Sequence, residues 1–354
     1  MKELAITAAN SITAVGHDGR MTSASVRAGV SRMFAYDEYL DGRDNPITAA
    51  PIRGIDDDED DTATRLSSIA MMCFEDMLNE YFQNCAHLPT QLELLLGVAS
   101  EERPGPRYEE SCMGPLLEIM GKWANQPKLQ TIPQGNASMH FAINQVGRLM
   151  ESNPGAFCII GGIDSLIRDS TLNWFEQDGR LKSESYGRHQ GVIAGEAVSF
   201  LVVEDSDRAK QANRQILARI SSLGLAEEPT PRASHSPSRN SGLTDACRAA
   251  LVGTKDKDIR AVFGDLNGEN SRAKEWSMTE MRCFKERHEQ RKLWSPANCY
   301  GDIGAASGAV LANIATQGFV RGWLPSPVLI FCSDDHGPCG ALVMENGGPQ
   351  DGKP

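Results

Sequence analysis

"GNASMHFAINQVGRLMESNPGAFCIIGGIDSL", residues 135–166, reads as a tight turn, an amphipathic helix and a buried strand. Such a turn exposes one side chain above the helix N-terminus, a place where enzymes often hold a nucleophile. Here the place falls to Asn136. An amide is a feeble nucleophile because its nitrogen is delocalised. Either the chemistry lies elsewhere in the chain, or a scaffold has lost it. The strand "FCIIGGIDSL" (157–166) is a short apolar run of the buried kind, stopped by two glycines.

Similar elements lie on both sides. Residues 3–13 ("ELAITAANSIT") read as a strand running into a turn at Gly16, then a helix over about 22–28 ending at Gly29. "LELLLGVAS" (92–100) and "GVIAGEAVSFLVVED" (191–205) read as strands, and "ATRLSSIAMMCFEDMLNEYF" (63–82) as a helix. A further helix follows the broken "EERPGPRYEE" and reaches about Asn125. The Pro/Ser-rich "AEEPTPRASHSPSRNSG" (226–242) reads as a mobile loop. Beyond it the element order is replayed. "DIRAVFGDLNGE" (258–269) gives a strand and turn, followed by a helix over about 273–286. "NCYGDIGAASGAVLANIA" (298–315) is a glycine-rich turn entering a small-residue helix, and "SPVLIFCSDDHGPCGALVMEN" (326–346) two strands around a loop. Alternating strands and helices with buried apolar strands point to an α/β fold.

A chain of 354 residues suggests two domains or one large layered one. Its net charge of −12 argues against nucleic acid and anionic membranes. No stretch approaches the roughly 20 apolar residues of a membrane span, and the start does not suit a signal peptide. Nine cysteines without a CxxC pair fit reduced thiols in a cytoplasm. Cys332, His336 and Cys339 are too few for a zinc site and read as a turn. The acidic "IDDDEDD" (55–61) reads as a loop before a helix N-terminus, since calcium-loop spacing is absent. No metal and no cofactor is expected. The five tryptophans are read as core or interface residues.

Six stretches, in order and over nearly the whole chain, resemble the β-ketoacyl synthase branch of the thiolase superfamily. They are the opening strand with "SITAVGHDGRMTSASVRAGVS", the helix–strand unit 135–166, "RHQGVIAGEAVSFLVVED", "GDLNGENSRAKEWSMTEM", "NCYGDIGAASGAV" and the closing "CSDDHGPCGALVM". The resemblance implies a five-layered αβαβα arrangement of two similar halves, residues 1–212 and 213–354, and usually a homodimer. It also implies that the segment 129–132 lies near the dyad.

The resemblance further implies where catalytic residues would stand. The family's cysteine position is Asn136, its two histidine positions are Asn267 and Asp302, and its lysine position is about Ala297. Asn267 cannot carry a proton near neutral pH. An ionised Asp302 would repel an enolate. Some members that replace the cysteine by an amide keep both histidines and can still decarboxylate, but this chain lacks the histidines. Ser138 would point away from the helix face of Asn136, whereas His140 would share it one turn on. A rebuilt site of Cys299, His336 and Asp302 is the alternative. A self-satisfied Asn136–Asp302–Asn267 plug is the simpler account.

The expected function is that of a catalytically inactive, ketosynthase-like protein that binds. Its partner would be an active ketosynthase, an acyl carrier protein or a secretion-related protein, since degenerate superfamily members serve as accessory proteins in bacterial clusters. An acyltransferase with a rebuilt site and an acyl-group binder are the competing readings. The chain is short for a condensing enzyme, which argues for a trimmed acyl tunnel.

Overall fold

The structure, a computed structural model, describes the chain except residues 1–2, 57–58, 60, 84–88, 106, 108, 154, 256–257, 286–290 and 349–354. In chain order it holds β1 (Leu4–Thr13), α1 (Gly19–Ala28), β2 (Phe34–Leu40), β3 (Pro46–Ala50), α2 (Thr62–Phe82) and β4 (Gln91–Gly97). Then come α3 (Glu109–Gly121), β5 (Gln126–Ile132), α4 (Ser138–Ser152), β6 (Phe157–Ser165), α5 (Asp169–Gln177), β7 (Ala194–Asp205) and α6 (Ser206–Gln211). The second half begins with β8 (Ala218–Glu227), α7 (Gly242–Ala250), β9 (Ala261–Gly264), α8 (Asn270–Cys283) and β10 (Lys292–Trp294). It closes with α9 (Ala297–Tyr300), α10 (Ser307–Val320), β11 (Val328–Ser333) and β12 (Pro338–Asn346).

Hydrogen bonding orders the main strands β10-β9-β11-β12-β8-β1-β7-β6-β4-β5. Counted within each half, both halves have the order third, second, fourth, fifth, first. In both, the fifth strand is the antiparallel one: β7 runs against β6 and β1, and β12 against β11 and β8. The halves join where Leu4–Ile6 of β1 pairs with Ala218–Ile220 of β8. The repetition that the sequence only suggested is thus explicit in the strand order.

Apolar faces set the layers. Ile143 and Val146 of α4 and Val310 and Ile314 of α10 share one core with Ile160 of β6 and Ile330 of β11. The two helices therefore lie between the two halves of this continuous sheet, the first sheet being β1 and β4–β7 and the second β8–β12. α10 is buried from Ser307 to Phe319, as befits a helix of small and apolar residues all round. On the outside, Ile69 and Phe74 of α2 and Leu116 of α3 cover β4 and β7. Leu243 of α7 and Trp276 of α8 cover β9 and β11, with Trp276 stacked on Phe331 at 4.4 Å. The result is five layers, αβαβα.

Several local readings need correction. Gly161 and Gly162 do not stop β6, which runs on to Ser165. A Cβ on Gly161 would meet the Phe200 ring, and one on Gly162 the backbone of Ala305, so close approach demands both glycines. α1 begins at Gly19, three residues earlier than expected, because Asp18 accepts the Met21 N–H at 2.7 Å. α3 ends at Gly121 and α8 at Cys283, earlier than expected; Glu286 lies outside the described residues. Asp61, at the end of the acidic run, caps α2 through the N–H groups of Ala63 and Thr64; positions 57, 58 and 60 of the run lie outside the described residues. The hairpin β2–β3, which the sequence did not announce, adds to β7 through Ala49 and Ala50. No helix among the described residues is long and apolar enough to cross a membrane.

Candidate functional site

Two turns of one sequence type open the two central helices: Gly135-Asn136-Ala137-Ser138 before α4 and Gly304-Ala305-Ala306-Ser307 before α10. Both glycines are left-handed, with φ of 51° and 50°. Each turn is overhung by a carboxylate from the opposite half, so that a Cβ on Gly135 would collide with Asp334 and one on Gly304 with Asp164. Asp164, near the end of β6, accepts the Ala305 N–H at 2.8 Å. Asp334, just past β11, accepts the Asn136 N–H at 3.2 Å. The fourth strand of each half thus delivers an acid to the N-terminus of the other half's central helix, where the helix dipole favours negative charge.

The two acids differ in their counter-charges. Burial would raise the Asp164 carboxyl, yet Arg103 (2.7 and 2.5 Å) and Arg168 (2.8 Å) hold it below the usual range. Asp334 instead receives the His336 backbone N–H at 3.0 Å and lies 3.2 Å from Nδ1 of that ring. This hydrogen bond raises the His336 pKa, and the same ring nitrogen is 2.8 Å from Ser100 Oγ.

At the positions implied by the resemblance, Asn267 donates through Nδ2 to Asp302 (2.7 Å) and to Glu269 (3.0 Å). The other Asp302 oxygen accepts the Gly304 N–H at 2.9 Å. Asn136 does not join them. Its buried Nδ2 has no hydrogen-bond partner among the described residues, so the expected three-residue plug is a two-residue pair. A cavity of about 10 Å³, room for about one water, lies beside Asp302 and Ala297 and is lined also by Asp265 and Tyr300.

The rebuilt trio is not linked by hydrogen bonds. His336 is held by Asp334 and Ser100, and Asp302 by Asn267, while burial pushes the Cys299 thiol up. Ser138 stitches the turn to β5, donating to Ile132 O at 2.8 Å. His140, on the same helix, packs under Gly340 with Nε2 3.4 Å from Ile330 O, and burial pushes its pKa down to about 4. Cys332 and Cys339 belong to cores on opposite faces of the second sheet, and no cluster of three metal-ligating groups exists among the described residues.

Sequence reasoning missed an arginine network beneath the closing loop. Arg180 reaches Glu269 (2.8 Å) and Asp335 (2.8 Å), Arg232 reaches Asp335 (2.9 Å) and Glu275 (2.8 Å), and Arg272 reaches Asp265 (2.9 Å). Burial would raise the Asp335 carboxyl, but these three guanidiniums hold it far below the carboxylate range. Arg232 sits in the segment 226–242, so that segment is pinned and does not form the loose loop its composition suggested. Arginine's fork suits such shared carboxylates.

At the turn, the Asn136 N–H is taken up by a side chain of the protein itself. The N–H at Asn136 is the donor that a developing oxyanion at this turn would need. It faces the Asp334 carboxylate instead. No thiol stands at the turn, and the free volume beside Asp302 is far below the roughly 300–1,000 Å³ of ligand pockets.

No family profile matches the sequence, and no curated protein does. Solved structures do match. The ishigamide ketosynthase/chain length factor superposes with a TM-score of 0.77 at 15% identity, over 98% of this chain and 100% of that one. A ketosynthase from module 6 of the bacillaene synthase of Bacillus subtilis 168 gives 0.78 at 12%, over 98% and 72%. A β-ketoacyl synthase from Burkholderia phymatum STM815 gives 0.75 at 16%, over 98% and 100%. The chain therefore has a thiolase-like fold. Within that class its fold is like that of these ketosynthases.

Proposed function

We propose that this ketosynthase-like chain performs no acyl transfer and acts by binding, as a homodimer, with residues 1–212 and 213–354 working as one compact unit. The observation that carries the reading is the Asp334 carboxylate on the Asn136 N–H. It neutralises the helix terminus at the turn where a nucleophile and an oxyanion would have to sit. The pairing of Asn267 with Asp302 supports the same reading, because neither group is a proton carrier poised on an open pocket. The shared core between α4 and α10 supports one unit in place of two separable domains. β5 ends the strand order, and this open edge, to which a second copy could add, supports the dimer. An active ketosynthase, an acyl carrier protein or a secretion-related protein is the partner we favour. Eight cysteines, all unpaired among the described residues, support a cytoplasmic setting.

The rebuilt acyltransferase gains little support, since Cys299 is buried with its thiol pKa raised. Limited alkylation of the native protein, read cysteine by cysteine, tests the choice. The proposal expects slow labelling with no outlier. A single hyper-reactive cysteine, Cys299 above all, would overturn it.

A further inference from the structure

On the outer face of the first sheet, in a different layer from the site, α2 and α3 leave a groove of about 410 Å³ between them. α2 contributes Met71, Met72, Glu75 and Asp76, spaced so that all four share one face. From α3 and its end come Pro115, Glu118, Ile119 and Lys122, again on one face. Pro115 inside α3 has no N–H to offer the Ser111 carbonyl one turn back. Ser67 Oγ of α2 donates to that carbonyl at 3.3 Å, so the proline both shapes the groove and ties its two walls together.

The floor is apolar and the rim is acidic. Met71 and Met72 continue the outer core to the surface above the buried Ile119, and methionine is a side chain that adapts to a partner's shape. Glu75, Asp76 and Glu118 stand along the edges against one cation, Lys122. Its Nζ lies 2.9 Å from Glu75, so the chain itself shows how an ammonium seats on this rim. Asp76 and Glu118 have no ion pair to a described residue. Two side-by-side helices with interrupted ridges accept a third helix along their groove.

We propose that this groove docks a basic amphipathic helix of a partner protein. Its apolar ridge would rest on Met71 and Met72, and its lysines or arginines would pair with Asp76 and Glu118. The site is independent of the reading given for the turn at Asn136. Either can fail without the other.

The test uses the full chain and a fluorescein-labelled peptide of about fifteen residues, leucine on one helical face and lysine elsewhere, followed by anisotropy. Saturable binding is expected, weakened about tenfold or more by Asp76→Lys with Glu118→Lys and by Met72→Asp. Reversing two exposed acids elsewhere, Glu151→Lys with Glu184→Lys, should leave it within about twofold. Thermal melts would confirm that each variant is folded; the surface charge reversals keep the test alive if Met72→Asp is not. Equal losses from the two charge-reversal pairs, or equal binding of a peptide with serine for leucine, would reduce the effect to general attraction and overturn the proposal. Absence of saturable binding would overturn it too.

Discussion

Asn267 directs its amide nitrogen to Asp302 and Glu269 inside the protein, which leaves no vacancy for a larger ring. Asn267→His should therefore strand a buried partner and cost about 1–3 kcal/mol, a drop of several degrees in melting temperature. Asp302→His should do the same, and wild-type melts for both variants would mean an open pocket. His140 gives a pH signature. Its folded pKa of about 4 lies below the ordinary 6.5, so the unfolded chain takes up the proton first as pH falls. Stability from the neutral ring is complete above about 6.5 and lost progressively down to about 4, amounting to roughly 3 kcal/mol. His140→Met should flatten the fall in melting temperature between pH 7 and 4.5; parallel curves would count against the assignment. At this scale the sequence was partly legible. Asn136, Asn267 and Asp302 stand out through the resemblance, and of these the structure pairs Asn267 with Asp302 but not Asn136. Asp334 does not stand out, because the N–H it accepts is 198 positions away. One signal was available: the repeat of Gly-x-Ala-Ser at 135–138 and 304–307 marks two equivalent helix starts, each needing an acid.

Elements were easier to read than their attachments. Strand and helix types followed from apolar spacing, whereas segment 226–242 was misjudged because proline and serine describe a backbone and say nothing of Arg232's distant partners. The structure makes that arginine the clasp between the segment, α8 and the closing loop. Arg232→Ala should leave Glu275 and Asp335 less compensated and cost about 3–5 kcal/mol, as for other buried pairs broken from one side. Limited proteolysis should then cut within 228–241 while the wild type resists. Equal resistance would show that the segment is held by its turns alone. The β2–β3 hairpin stayed hidden for a related reason: β2 is mostly exposed and carries no clean alternation.

Across the whole molecule, duplication places two sheets around α4 and α10 and lets each half cap the other's central helix. The strand order was beyond the sequence, since pairing of β1 with β8 is a long-range choice that local propensity does not encode. The open edge of β5 predicts a dimer by light scattering at micromolar concentration, and a clean monomer would contradict the proposed interface. The central claim is that the turn at Asn136 holds charge in place of chemistry. It is tested most directly by incubating the native protein with acetyl and malonyl thioesters and weighing it intact. An unchanged mass is expected, because an amide stands at the turn and Asp334 fills its oxyanion donor. A stable acyl adduct, on Cys299 or any other residue, would contradict the account.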